Sequence, residues 1–248
     1  MKLKQLTKLT EVEFKLFLRE PTAFFFTLIF PIILLVVFGS AFGNQPLPNN
    51  LKVIDYQIPG LIAMVIASVG LMGISIVMAE YRETGIFKRL KTTPLSPSFI
   101  LISQVIVNFI VISISSLLLL GVASLIFKIK FLVNILNFLI AFSLSFITFF
   151  SLGFMLSGLF RTARSVQAAG MILFFPMLFL SGAAMPIENI PNKILQKLAE
   201  INPLTYVVDI LTETWLGGNL NEHLTPFIIL IIITILFIFI SIKTFRWE

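Results

Sequence analysis

Six long apolar runs, separated by short charged segments, decide what this chain can fold into. They fall at residues 23–42, 58–79, 99–127, 132–160, 166–181 and 224–242. Most reach the roughly 20 residues a helix needs to cross a hydrocarbon core of about 30 Å. The fifth run is short and contains Pro176; the first contains Pro31. Proline is tolerated in a membrane helix where a neighbouring helix satisfies the carbonyl it frees. The chain is 58% hydrophobic and only 12% charged, with a mean hydropathy of +1.03, whereas soluble domains carry about 25% charged residues. So few polar groups cannot cover a water-facing surface, and lipid must be part of the solvent. The reading is an all-α integral membrane protein, six transmembrane helices in one domain over residues 1–248.

The charged segments orient these spans. With the N-terminus inside, the inner segments hold 13 Lys/Arg and the outer ones 5. That excess predicts a multi-pass cell-membrane protein with both termini cytoplasmic. It also accounts for the net charge of +6 without nucleic acid. Lys4, Lys8, Glu11, Lys15 and Arg19 share one helical face of the first 21 residues, with Leu6, Leu9, Phe14, Leu16 and Phe17 mostly elsewhere. This predicts an amphipathic helix lying on the membrane surface, in contact with lipid. No charge sits near the centre of any run, which argues against proton relays and charge-lined channels. With no cysteine and a single histidine, His223, neither thiolate nor multi-histidine metal sites can form.

Two connecting segments are more than loops. Between the second and third runs, residues 80–98 read E-Y-R-E-T-G-I-F-K-R-L-K-T-T-P-L-S-P-S. Gly85 permits a sharp turn, and Ile86, Phe87 and Leu90 give the short helix after it an apolar tip among Lys88, Arg89 and Lys91. Such a helix is a surface on which a soluble partner can dock. A plain basic topogenic loop is the competing reading of the charges. Outside the fifth run, residues 182–223 carry two helical patterns. One follows Pro191, with Ile194, Leu195, Leu198 and Ile201 on one face. The other covers 206–216 after an Asn202 cap and a first-turn Pro203. They predict a hairpin re-entering the outer leaflet.

These segments resemble a known family. Glu80, Arg82, Glu83, Gly85, Arg89, Leu90 and Pro94 are similar to the coupling-helix region of ABC-2 type transporter permeases. Phe175-Pro176, Phe179-Leu180-Ser181-Gly182, Pro186, Pro191 and Asn202-Pro203-Leu204-Thr205-Tyr206 resemble the family's fifth span, outer gate and re-entrant helices. Arg19-Glu20-Pro21 before Phe30-Pro31 resembles its entry to the first span. The resemblance implies the permease subunit of a prokaryotic exporter of drugs, antibiotics or lipid-like molecules. It implies two ATPase subunits and a second permease, identical or paralogous. The chain has no G-x-x-x-x-G-K-[ST] loop, so ATP and Mg would be bound by the separate ATPase and no cofactor by this chain. It also implies that the segment from Glu80 to Pro94, with Ile86 and Phe87 at its tip, couples the two. One departure stands out: where related multidrug half-transporters plug the cavity with two leucines, this chain has Ala183 and Ala184. Phe179, Leu180 or Met185 would have to close the route.

A cargo route between two subunits would draw on the second and fifth spans. Gly60, Ala63, Ala67, Gly70 and Gly73 leave space in one; Met171, Phe174, Phe175, Met177 and Phe179 offer soft apolar surface in the other. Ordinary helix packing explains any single one of them equally well. The alternatives to drug export are a permease for polysaccharide or lipid-linked glycan, a membrane scaffold, and an intramembrane enzyme. An enzyme needs an acid, base or metal group at membrane depth. Ser143, Ser145, Ser151 and Ser157 recur in the fourth run without an Asp or His beside them. Asp209, Glu213 and His223 read better as a solvated face.

Overall fold

The computed structural model describes residues 2–43, 45–46, 51–90, 97–129, 132–183, 192–219 and 224–244. Among them, six helices are long and apolar enough to cross a membrane: Pro21–Phe42, Val53–Glu83, Phe99–Phe127, Ile135–Leu159, Ala163–Leu180 and Leu224–Thr244, here spans 1 to 6. Four further helices accompany them: Lys2–Arg19, Ile86–Leu90, Lys193–Ile201 and Pro203–Trp215. The chain is a multi-pass membrane protein, and its connectivity puts both chain ends at one end of the bundle, here the base.

Span 2 is longer than its apolar run at both ends. Residues 53–57, ahead of the apolar run, are its first turns, begun by Asp55 accepting the backbone N–H of Lys52 at 2.9 Å. A carboxylate there satisfies an orphan donor and complements the positive end of the helix dipole. At the base the helix runs on through Glu83.

Spans 2 and 4 form the centre, and spans 1, 3, 5 and 6 surround them with much of their surface turned outward. Spans 2 and 4 cross where Gly70 meets Gly153. A methyl on Gly153 would lie 2.1 Å from the Gly70 carbonyl oxygen, and one on Gly70 would lie 2.7 Å from that of Phe149. Backbone touches backbone, an approach only glycine permits. A π-helical stretch, Val69–Ile74, falls at this crossing. Span 6 is tied to span 4 by the buried hydroxyls of Thr148 and Thr234, 2.6 Å apart.

The first span shows how the bundle absorbs a proline. Pro31 has no N–H for the carbonyl of Thr27 four residues earlier, and Phe25–Ile29 is π-helical. The hydroxyl of Ser115 in span 3 donates to that carbonyl at 2.6 Å. Without the serine, the buried oxygen would lose its partner in a medium without water.

At the far end, Asn202 begins the helix Pro203–Trp215 as expected: its side-chain oxygen accepts from the Leu204 N–H at 3.0 Å. Its amide donates to the carbonyl of Met177 in span 5 at 2.8 Å, which seats the start of this helix beside that span. Trp215, at the other end, is buried against Phe138 of span 4.

Candidate functional site

The short helix Ile86–Leu90 leaves span 2 through Thr84 and Gly85, and Gly85 takes the left-handed φ of +69°. An L side chain is disfavoured there, so glycine is what lets the chain fold back. The expected apolar tip needs correcting. Phe87 is only 1% exposed and packs edge-on against Tyr81, ring centres 6.2 Å apart. Ile86 is half-buried, while Lys88 and Arg89 are exposed. The aromatic ring fastens the helix to the bundle, and its outward surface is basic. Leu90 closes the helix, and Pro94 lies outside the described residues.

The residues just before the turn face inward too. Arg82 donates to the carbonyls of Ser157 and Phe160, each at 2.6 Å, and of Arg161 at 3.2 Å. These carbonyls belong to the last turn of span 4 and the residues after it. That helix end carries partial negative charge, and a guanidinium fork fits several oxygens at once. Glu83 accepts from the N–H of Ala163 at 3.1 Å, the first residue of span 5, the positive end of that helix. Adjacent opposite charges thus grip the two ends of the span 4–span 5 turn. Glu80 is exposed.

Tyr81 reaches a third neighbour. Its hydroxyl lies 2.9 and 3.0 Å from the two carboxylate oxygens of Glu13 on the N-terminal helix. Gln104 of span 3 donates to the same carboxylate at 2.6 Å, and Asn108 donates to the Gln104 side-chain oxygen at 3.2 Å. Glu13 is 8% exposed. Burial pushes its carboxyl above the ordinary carboxylate value, and the Tyr81 hydrogen bond pulls partly the other way. None of Glu13, Tyr81 or Gln104 was singled out from the sequence. A signal was present: Glu13 falls in line with Leu6, Leu9 and Phe17, an acid inside the apolar stripe of an amphipathic helix.

The expected pathway residues divide. Met171, Phe175 and Phe179, four residues apart, form one exposed stripe along span 5, Phe175 at 51% and Phe179 at 65%. Leu180 and Gly73 are half-buried. Gly70 and Phe174 are corrections: Gly70 is spent on the span 4 backbone and Phe174 is buried inside the subunit. Just past span 5, where the gate was expected, Ser181 is buried, donating to the Leu178 carbonyl at 2.9 Å and accepting from the Ala183 N–H at 3.2 Å. Gly182 follows with a positive φ. The backbone of Ala183 comes so close to Gly60 of span 2 that a methyl there would sit 2.7 Å from its oxygen. Pro203 is buried at its helix start; Ala184, Met185, Pro186 and Pro191 lie outside the described residues. A groove of about 400 Å³ opens elsewhere, lined from spans 3, 4 and 6 by residues such as Leu101, Val105, Phe154 and Ile242.

The serines of span 4 are accounted for. Ser143, Ser145, Ser151 and Ser157 each donate to a carbonyl three or four residues earlier in their own helix, as back-bonded membrane serines do.

The short basic helix Ile86–Leu90 is thus fastened at the base of six apolar helices. The family model for ABC-2 type transporters matches residues 4–216. The chain belongs to the ABC-2 type transporter family. Two curated proteins are similar to this ABC-2 chain, the probable multidrug ABC transporter permeases YbhR of Escherichia coli K12 and of Escherichia coli O157:H7. Each is 29% identical over 189 residues, 70% of this chain and 50% of the relative. The chain spans about half the length of the curated relatives it matches. Membership makes it a membrane component of a transporter, and the family match takes in both the base and the far-end helices.

Proposed function

We propose that this chain is the membrane-spanning permease of an ATP-binding cassette exporter, moving hydrophobic or amphipathic molecules out of the cell with energy from separate ATPase subunits. The observation that carries the reading is the family match across residues 4–216, and the similarity to multidrug permeases supports the cargo class. Helix Ile86–Leu90 presents Lys88 and Arg89 outward from a fixed base, a surface suited to an acidic groove on an ATPase. In this reading the termini and residues 80–98 are cytoplasmic and residues 182–223 are outside. Two ATPases bind ATP and Mg, and two permeases, identical or paralogous, enclose the cargo route. The stripe Met171, Phe175 and Phe179 lines that route, because each subunit leaves it uncovered.

The test is co-purification of an ATPase with the tagged chain from its native host, followed by ATP-dependent ethidium efflux from proteoliposomes. Both are expected. A cysteine replacing Asn192, unique in this cysteine-free chain, should react with an impermeant maleimide in intact cells. Labelling only after permeabilisation reverses the orientation. Absence of any ATPase partner refutes the exporter assignment.

A further inference from the structure

Three consecutive residues at the foot of span 2 hold four different elements. Tyr81 bonds the N-terminal helix through Glu13, a carboxylate shared with Gln104 of span 3. Arg82 holds the end of span 4, and Glu83 holds the start of span 5. Successive helical residues point about 100° apart, so three side chains in a row fan out around the axis instead of competing for one partner. The same Tyr81 ring receives Phe87 of the short helix. The short helix therefore joins this junction directly, and not only through the backbone turn at Gly85.

We propose that Tyr81, Arg82 and Glu83 are positioning residues that make the base one rigid body. Any displacement of the helix Ile86–Leu90 then moves the N-terminal helix and the feet of spans 2 to 5 together. This assignment rests on the proposed coupling role of that helix. It changes what the charged motif does: Arg82 and Glu83 act within the permease, and contact with the ATPase is left to the outward side of the short helix around Lys88 and Arg89. Arg82 has a specific requirement. It meets three carbonyls in a fork, which a lysine point charge cannot reproduce. Glu83 needs only an acceptor at a helix N-terminus.

The test has two arms. In the first, the purified permease in nanodiscs is followed by hydrogen exchange without any ATPase. Arg82→Lys and Glu83→Ala should each speed exchange in peptides covering 158–166 at least tenfold and leave 4–19 unchanged. Tyr81→Phe, which keeps the ring against Phe87, should do the reverse. Glu83→Gln should restore most of the protection lost in Glu83→Ala. In the second, the permease–ATPase complex is reconstituted. The junction variants should retain the ATPase and its ATP turnover but export at least tenfold less ethidium per ATP, whereas Lys88→Glu/Arg89→Glu should lose the ATPase. Unchanged exchange in the first arm overturns the junction. So does loss of ATPase binding by Arg82→Lys or Glu83→Ala in step with loss of efflux, because it makes them docking residues. If the unaltered chain retains no ATPase, the exporter reading fails, and the exchange arm still decides the junction.

Discussion

Replacing Gly153 by alanine should cost more than any other single methyl in this bundle. The new carbon would sit 2.1 Å from the Gly70 oxygen, 2.8 Å from Ile74 Cγ2 and 3.1 Å from the Gly70 carbonyl carbon. Carbon and carbonyl oxygen approach no closer than about 3.3 Å even in favourable contacts, so spans 2 and 4 must part by about 1 Å. A gap of that size forfeits a quarter to a half of each contact it opens. Overpacking typically costs about 1–3 kcal/mol. Because the obstacle is backbone on both sides, the upper end, about 3 kcal/mol, applies here. Gly121→Ala is the control: nothing lies within 4 Å of its added carbon, and the change should be neutral or gain up to about 1 kcal/mol from helix propensity. Unfolding in mixed micelles, titrated with dodecyl sulfate, can follow the fluorescence of Trp215, which is 1% exposed beside Phe138, in a Trp247→Phe background. The two alanine variants should differ by about 3–4 kcal/mol. If Gly153→Ala unfolds within about 0.5 kcal/mol of the unaltered chain, the crossing is not as close as argued.

Two more predictions concern polar groups. The docked Glu13 carboxyl titrates above its ordinary value, so docking favours the protonated form. Stabilisation of the docked helix is full below the ordinary carboxylate pKa and is lost as pH rises through the raised one. Exchange of residues 4–19, corrected for intrinsic rates, should slow as pH falls from above the raised pKa to the ordinary carboxylate value, and Glu13→Gln should remove that dependence; a pH-independent unaltered chain would contradict it. Ser115→Ala strands the Thr27 carbonyl and should cost about 0.6–2 kcal/mol in the same micelle assay. The loss should shrink in a Pro31→Ala background, where an N–H is restored; equal losses in both would mean the serine does not serve that carbonyl.

Local features could be read from residue order. The six runs, the turn at Gly85 and the cap at Asn202 each depend on neighbours within a few positions. Pro31 predicted a freed carbonyl met by another helix, though not which residue would meet it. What escaped was mostly facing. Lipid tails are as apolar as leucine, so a span carries no amphipathic stripe to show which side packs inward. Gly70 and Phe174 therefore looked as available for a cargo route as Phe175. The contacts of Arg82 escaped for another reason: its partners are backbone carbonyls at a helix end, which leave no residue-type signature. Phe87 was taken as exposed because its flanks are basic, yet its partner Tyr81 was only six residues away.

Span 2 runs for 31 residues, about 46 Å at 1.5 Å per residue, against a hydrocarbon core of about 30 Å. Its tightest contact, Gly70 on Gly153, lies about 20 Å from Glu83 and about 26 Å from Val53. Arg82 holds the end of span 4 as well, so span 2 is pinned to span 4 at two points about 20 Å apart. One pin would leave a pivot; two fix the angle between the helices. Gly60, which touches the backbone of Ala183, sits on the arm beyond both pins. A tilt imposed at the foot would thus carry span 4 along with span 2 and arrive undivided at the backbone of Ala183.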